Sequence, residues 1–521
     1  MLFFSLFGGS LRGGRRPGVL VALSLLLAGW PGWAAAATLD ETIDAVVSPV
    51  TDAISALIFY PLPLPYTAQG IPFIVLWLAV AGLFFTVYFR LINLRAMRHA
   101  FGLVRGVYTP PDAAGEVTHF QALATALSGT VGLGNIAGVA IAVSTGGPGA
   151  TFWMILAGLF GMSAKFVECT LGVKYRNEYA NGTVSGGPMY YLSKGLASEY
   201  PALAGFGRLL AALFAVLCIG GTLGAGGMFQ TNQAFSQVLV VTGGAASPLA
   251  GYGWLYGIAV ALVVGLVIIG GIRSIARVTS KLVPLMAVLY VGAGLLVIGF
   301  HFREIPSAFE AIVTGAFRPA GIAGGALGVL ILGFRRAAFS NEAGVGSSPI
   351  AHSAVRTDHP VTEGLVALYE PFIDTVVICT ITALVIILTG AYDPTGQVEG
   401  VALTSRAYAT VFDWFPLALL VAVLLFSFST TISWSYYGLK SLTYLTGENR
   451  RVELAFKIAV MVSVVIGSSI NLKSVMDLAD AMILGMALPN LIGVYLLAPV
   501  VRRELAGYWG RYRRGELQRY R

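Results

Sequence analysis

Beyond residue 70 the chain is a succession of long apolar runs separated by short polar connections. Many of the runs reach or exceed the roughly 20 residues that carry an α-helix across a bilayer. They predict about eleven spans, at 71–90, 119–145, 149–173, 207–240, 253–271, 281–301, 320–343, 364–390, 412–442, 453–470 and 474–499. Two earlier stretches differ. Residues 1–37 carry Arg12, Arg15 and Arg16, then a short apolar run and A-A-A-A, the pattern of a secretory signal peptide. Residues 38–70 hold Asp40, Glu41, Asp44 and Asp52 and no lysine or arginine, as an extracytoplasmic segment would. The remainder divides into a first span with its loop (71–118), two sets of five spans (119–301 and 302–500) and a basic tail (501–521).

One span stands out. Its centre, Ser128 to Gly138, reads S-G-T-V-G-L-G-N-I-A-G. Each glycine there weakens a helix by about 1 kcal/mol relative to alanine. Backbone groups released from a helix find no water in hydrocarbon, so such a break persists only inside protein or beside a polar cavity. Thr130 and Asn135 add side-chain oxygens to the break. Close helix packing would also use glycines, so the rest of the chain has to decide. A second interrupted span, the seventh, opens G-I-A-G-G-A-L-G-V-L-I-L-G-F and runs into R-R-A-A-F-S-N-E-A-G-V-G-S-S-P. The two stand five spans apart and therefore run in opposite directions. Paired broken helices in the two halves of an inverted repeat mark the midplane site of a secondary transporter.

Other polar groups at membrane depth bear on this site. Gln230 and Gln233 share a helix face in the fourth span, with Asn232 between them, and serve either a site or interhelical hydrogen bonds. Ser429 and Thr430 in the ninth span are cation-ligand candidates in combination with the first break, because a hard cation needs several oxygens. Lys165 and Glu168, at i and i+3, are expected to pair, and Asp374 to reach a gate through Arg335 or Arg336. Asp477 and Asp480 are either gating groups or interfacial ones. Tyr190, Tyr191 and Leu192, in the long loop from Asn177 to Gly205, suit a short interfacial helix or, equally, a purely structural connector.

The chain has 521 residues, 56% hydrophobic and only 11% charged. Soluble domains carry about 25% charged residues, so this is a polytopic all-α membrane protein. Its net charge of +8 is no nucleic-acid signature, because the basic residues fall in alternate loops. Loops expected inside hold Arg90, Arg95, Arg98, Arg105, Lys174, Arg176, Lys194, Arg208, Arg273, Arg277, Lys281, Arg356, Arg450 and Arg451; those outside hold Arg303, Arg318, Arg406 and Lys473. This predicts an external N-terminus, a cytoplasmic C-terminus and a bacterial inner-membrane location. Cys169, Cys218 and Cys379 lie within apolar segments without metal-type spacing. No G-x-S-x-G or H-E-x-x-H motif appears, and His99, His119, His301, His352 and His359 sit near span ends, which argues against an intramembrane enzyme. A receptor or channel of the same architecture is the remaining rival.

The motifs S-G-T-V-G-L-G-N-I-A-G-V-A, G-G-P-G-A, M-S-A-K-F-V-E-C-T-L-G, G-G-P-M-Y-Y, F-S-N-E-A-G-V-G-S-S-P-I-A-H, E-P-F-I-D-T and S-W-S-Y-Y-G, in this order, resemble the alanine or glycine:cation symporter family. The resemblance spans Ile71 to about Pro499 and departs from the family pattern at Ala337, where glycine is expected. It implies a five-plus-five inverted repeat of the LeuT type with one extra helix in front. It also implies uptake of a small neutral amino acid, alanine or glycine, coupled to sodium or to protons, with no cofactor. By analogy with that fold, Thr130, Gly132, Asn135 and Gln230 would form the pocket, with Gly333 and Phe334 on a facing break. One sodium would sit between the carbonyls of Ser128 and Val131 and the hydroxyls of Ser429 and Thr430. The choice of amino acid, the stoichiometry and the oligomeric state stay open at this level.

Overall fold

The computed structural model describes residues 39–63, 70–110, 112–180, 182–269, 271–318, 325–392 and 400–520. The expected signal peptide lies outside them. Among the described residues the protein is helical apart from two antiparallel pairs of two-residue strands, Pro61–Leu62 with Ile71–Pro72 and Asn177–Glu178 with Val184–Ser185. The helices used below are α1 (Leu39–Ile58), α2 (Phe73–Tyr88), α3 (Met97–Val104), α4 (His119–Thr130), α5 (Val139–Gly146), α6 (Gly149–Lys174), α7 (Ala204–Gly221), α8 (Gln230–Thr242), α9 (Gly253–Ile268) and α10 (Gly271–Phe300). They continue with α11 (Gly325–Asn341), α12 (Ser348–His352), α13 (Pro360–Ala367), α14 (Thr380–Leu388), α15 (Phe415–Thr446), α16 (Arg450–Gly467) and α17 (Leu472–Arg513).

Each expected span coincides with one of these helices or with a broken pair of them. Among the described residues, six helices are long and apolar enough to cross a membrane alone, and the bent pair α4–α5 makes a seventh. The others, among them α2 and α9, are shorter, so helix length by itself fixes fewer than eleven crossings. Leu209, Val216, Leu262, Leu266 and Val288 stay exposed on helices α7, α9 and α10, as lipid-facing side chains do. Inside, the helices share one core with Phe85, Phe166, Phe214, Phe229, Tyr290 and Phe426 almost wholly buried.

Local sequence explains where the site-forming elements start and stop. Helix α4 begins at a capping box: the Gln121 backbone N–H donates to the Thr118 hydroxyl (3.2 Å), and the Thr118 N–H donates to the Gln121 side chain (3.0 Å). It ends where Val131 turns extended (φ −76°, ψ 91°), and α5 leaves at 53° after a π-helical turn, Gly134–Gly138. Two further π-helical stretches, Thr222–Phe229 before α8 and Phe372–Cys379 before α14, widen spans beside the same region.

The seventh span corrects the sequence reading. Helix α11 runs unbroken through Gly333 to Asn341, and the interruption lies downstream, from Glu342 to Ser347, before α12 resumes. Glu342 (φ 55°), Gly344 (φ 84°) and Gly346 (φ 92°) adopt left-handed backbone there, which no helix can continue. Helix α1 was not expected as a helix. It packs along α17, with the Ser48 and Ser474 hydroxyls 2.7 Å apart.

Candidate functional site

The break after α4 frees two backbone donors, and side chains take both. The Gly132 N–H donates to Asn135 Oδ1 (2.8 Å) and the Leu133 N–H donates to Gln230 Oε1 (3.0 Å). Gln230 in turn donates through Nε2 to the Ala225 carbonyl (3.1 Å), inside the π-helical stretch that precedes α8. Asn135 donates through Nδ2 to Asp374 Oδ1 (2.6 Å), and Asp374 also accepts from Ser340 (2.8 Å) and Thr375 (2.7 Å). Asp374 therefore ties the first break to α11. It does not reach Arg335 or Arg336, contrary to the sequence expectation. Those two arginines converge on buried Asp480, Arg335 at 2.7 Å, with the Phe59 ring 4.1 Å below the Arg335 guanidinium. Asp477 pairs with Lys473 at 2.7 Å instead.

Helix α15 lies across the break. A Cβ at Gly132 would sit 2.5 Å from Thr430 Oγ1 and 2.9 Å from Gln230 Oε1; one at Gly129 would sit 2.9 Å from the Tyr437 hydroxyl. The Thr430 and Tyr437 hydroxyls are buried and have no hydrogen-bond partner among the described residues. Buried polar atoms are nearly always satisfied, so two orphans set against the last turn of α4 and the break that follows it mark a place for a polar guest. Beside them Ser128 donates to the Ser429 carbonyl (2.7 Å) and accepts from Ser433 (3.0 Å), while the Ser429 hydroxyl donates to the Phe426 carbonyl (3.0 Å). All are oxygen donors, as a hard monovalent cation prefers.

The structure thus brings together Ser128, Val131, Gly132, Asn135, Gln230, Ser429 and Thr430. It leaves out three. The Thr130 hydroxyl bonds back to Ala126 (3.3 Å) in its own helix. Gly333 sits where α11 crosses α6, a Cβ there lying 2.7 Å from that of Trp153, and Phe334 packs beside the same tryptophan. Neither lies at a break, because Glu342–Ser347 is the segment that unwinds. Of the fourth-span amides only Gln230 joins the site; Asn232 holds the Gly467 and Ile470 carbonyls and Gln233 accepts from the Val401 N–H (3.0 Å).

The second break has its own supports, which sequence reasoning missed. Glu168 accepts from the Gly344 N–H (3.3 Å) and from Asn490 (2.5 Å), which also holds the Gly344 carbonyl (2.9 Å). Tyr191 donates to Asn490, and Tyr191 and Leu192 are fully buried, as the structural-connector alternative requires and the interfacial one does not. Lys165 pairs with Glu370 (2.9 Å) and not with its neighbour Glu168. Trp434 Nε1 donates to Glu342 (3.1 Å), so α15 touches both breaks. Glu363 and Glu370, seven residues apart, share a helix face; that spacing was the available signal for a paired acidic site.

Two broken helices beside a buried polar centre are the mark of a membrane transporter. Comparison with known proteins narrows the class. The profile of the Sodium:alanine symporter family matches residues 65–521, and the chain belongs to that family. It is 38% identical over 440 residues to the sodium/alanine symporter AgcS of Methanococcus maripaludis, covering 84% of this chain and 94% of that one. It is also 34% identical over 429 residues to the probable sodium/glutamine symporter GlnT of Bacillus subtilis, covering 82% of this chain and 86% of that one. The structure of MhsT in complex with L-phenylalanine superposes with a TM-score of 0.53 at 14% identity, over 74% of this chain and 89% of that one, a likeness of fold alone. The protein is therefore a multi-pass, cation-coupled amino-acid symporter with a helical membrane fold, and not an enzyme.

Proposed function

We propose that the protein imports a small neutral amino acid, alanine or glycine, driven by sodium, across a bacterial inner membrane with its N-terminus outside. The observation that carries this reading is the pair of unpartnered hydroxyls, Thr430 and Tyr437, set against Gly129 and Gly132 of the broken helix. The amino acid's carboxylate would take the Gly132 and Leu133 N–H groups, which Asn135 and Gln230 hold in its absence. Asp374 positions Asn135 for that exchange. Sodium would use the Ser128 and Thr430 hydroxyls with the Val131 and Ser429 backbone oxygens, where the cation's charge would compensate that of the carboxylate. A glycine at 132 keeps a Cβ away from Thr430 and Gln230, where this arrangement needs the space.

Alternating access then needs the two breaks to move relative to α15. The Arg335–Asp480–Arg336 cluster joins α11 to α17 on one side of the centre, which suits a closing contact. Uptake of labelled alanine and glycine into proteoliposomes tests the reading. Accumulation above equilibrium only with an inward sodium gradient supports it; accumulation with a proton gradient alone reassigns the cation, and none with either refutes the substrate.

A further inference from the structure

Five ionisable side chains that the site above does not use form an unbroken buried line. His119 opens α4, His352 closes α12, Glu363 lies on α13, Glu370 follows it, and Lys165 comes from α6; none is more than 2% exposed. His119 Nδ1 bonds Glu363 Oε2, and His352 Nδ1 bonds Glu363 Oε1 at 2.5 Å. The other ring nitrogen of His352, Nε2, faces Glu370 Oε2 at 3.3 Å. Glu370 Oε1 accepts from Lys165 (2.9 Å) and from Ser348 (2.5 Å).

The bonding at His352 has a proton-count consequence. A neutral imidazole carries one N–H and one lone pair. With a carboxylate oxygen on each nitrogen, a neutral ring would aim its lone pair at negative charge. The arrangement is satisfied only when one more proton sits between His352 and the two carboxylates. With it, Glu363 and Glu370 balance Lys165 and the His352 imidazolium. Without it, a net negative charge is left in a site sealed from water, which is costly.

The position matters as much as the count. His352 is the last residue of the short helix that resumes after the second break, whereas both carboxylates belong to the next helical segment. At the other end of the line, Lys165 stands one turn from Glu168, which holds the Gly344 N–H inside that break. Movement of the broken span therefore changes the distance between His352 and its carboxylates. A ligand couples to a conformational change when its affinity differs between the two states. The elements packed around α12 bring Lys165, Glu168 and Cys169 from α6, His119 from α4, and Tyr437 from α15, with Glu342 in the break itself and Arg176 on the Ser353 carbonyl.

We propose that the His352–Glu363–Glu370 cluster is a proton-binding site whose loading is coupled to movement of the second broken span, making the proton a coupling ion in addition to sodium. Its transport arm rests on the symport reading; its protonation arm does not. Ring-15N-histidine NMR of the full chain in detergent, with His352→Gln to assign the signal and Glu363→Gln as a second variant, reads the protonation directly. The expected result is a His352 protonated on both nitrogens at neutral pH, losing a proton at a pH displaced by adding sodium and alanine. A His352 that is neutral from about pH 6 to 8, or whose titration ignores both additions, overturns the proposal. Sodium-driven alanine uptake at equal internal and external pH forms the transport arm. Uptake by the native protein should fall about tenfold per pH unit above the apparent pKa, and His352→Gln should flatten that profile. Parallel profiles in the two proteins overturn the coupling. Failure of alanine and glycine uptake under every gradient refutes the symport reading while the NMR still decides the proton site.

Discussion

Thr430 and Gly132 test the candidate site at the scale of single residues. Thr430→Val keeps the shape and removes a hydroxyl that has no partner among the described residues. Replacing an unsatisfied buried polar group by an apolar one of the same shape is neutral or stabilising. The variant should unfold at the same temperature as the native protein or slightly above it. If the hydroxyl is a sodium ligand, losing one bond to a charged partner costs about 1.5–3 kcal/mol, so half-maximal uptake should require roughly tenfold more sodium or beyond. Unaltered sodium dependence would return Thr430 to packing. Gly132→Ala makes the opposite demand, since its Cβ meets Thr430 Oγ1 at 2.5 Å and Gln230 Oε1 at 2.9 Å. Either neighbour must leave the break, and amino-acid affinity should fall by at least about tenfold, some 1.4 kcal/mol. Direct binding to purified protein measures it. Asn135→Ala should also weaken binding, because it severs the tie to Asp374 that holds the unwound turn in place.

At the scale of elements, the two breaks are built differently. The first is capped by amide side chains within reach of α8; the second by a carboxylate from α6 and an asparagine from α17. Gly346 shows how tightly the second is held: φ is 92°, and a Cβ would meet Asn490 and Pro188 at 2.8 Å. Gly346→Ala combines a left-handed backbone with overpacking and should lower stability by about 1–3 kcal/mol, read as a drop in the thermal midpoint in detergent. Outside the spans, α3 docks on the end of α17 through His99, whose ring bonds the Tyr508 hydroxyl at 2.8 Å and lies 4.1 Å from the Tyr512 ring. Burial pulls the His99 pKa from 6.5 to about 4. The folded ring is neutral while the unfolded one takes a proton below its ordinary pKa, so this contribution is complete above that value and is lost as pH falls towards 4. Amide exchange in residues 500–513, corrected for intrinsic rate, should be faster at about pH 5 than at about pH 7, and His99→Gln should remove the difference.

At the scale of the whole molecule, Asp480 is the node that joins α11 to α17. Its removal leaves two cationic side chains near one another, the Arg336 guanidinium fully enclosed. Breaking such a buried pair costs about 3–5 kcal/mol. Asp480→Ala should therefore lower the unfolding temperature markedly. Arg335→Ala, which removes the more exposed partner, should cost much less.

The sequence determined the fold class and placed the helices, because lipid imposes one rule on every span: long apolar runs, with backbone groups satisfied inside a helix. It also located the first break, since Gly129, Gly132 and Gly134 weaken one turn locally and Asn135 caps the result. Local sequence misled at the seventh span. Gly333 is a close crossing with Trp153 and not a break; the true break begins at Glu342, and distant helices support it, Glu168 at the Gly344 N–H and Trp434 at the Glu342 carboxylate. Only the tertiary structure decided the charge partners. Lys165 bypasses Glu168 for Glu370, Asp374 turns to Asn135, and Arg336 meets Asp480, in each case across more than one hundred residues of chain. Spacing along one helix reports which side chains share a face. Which opposing face is brought against it is set by how the helices pack.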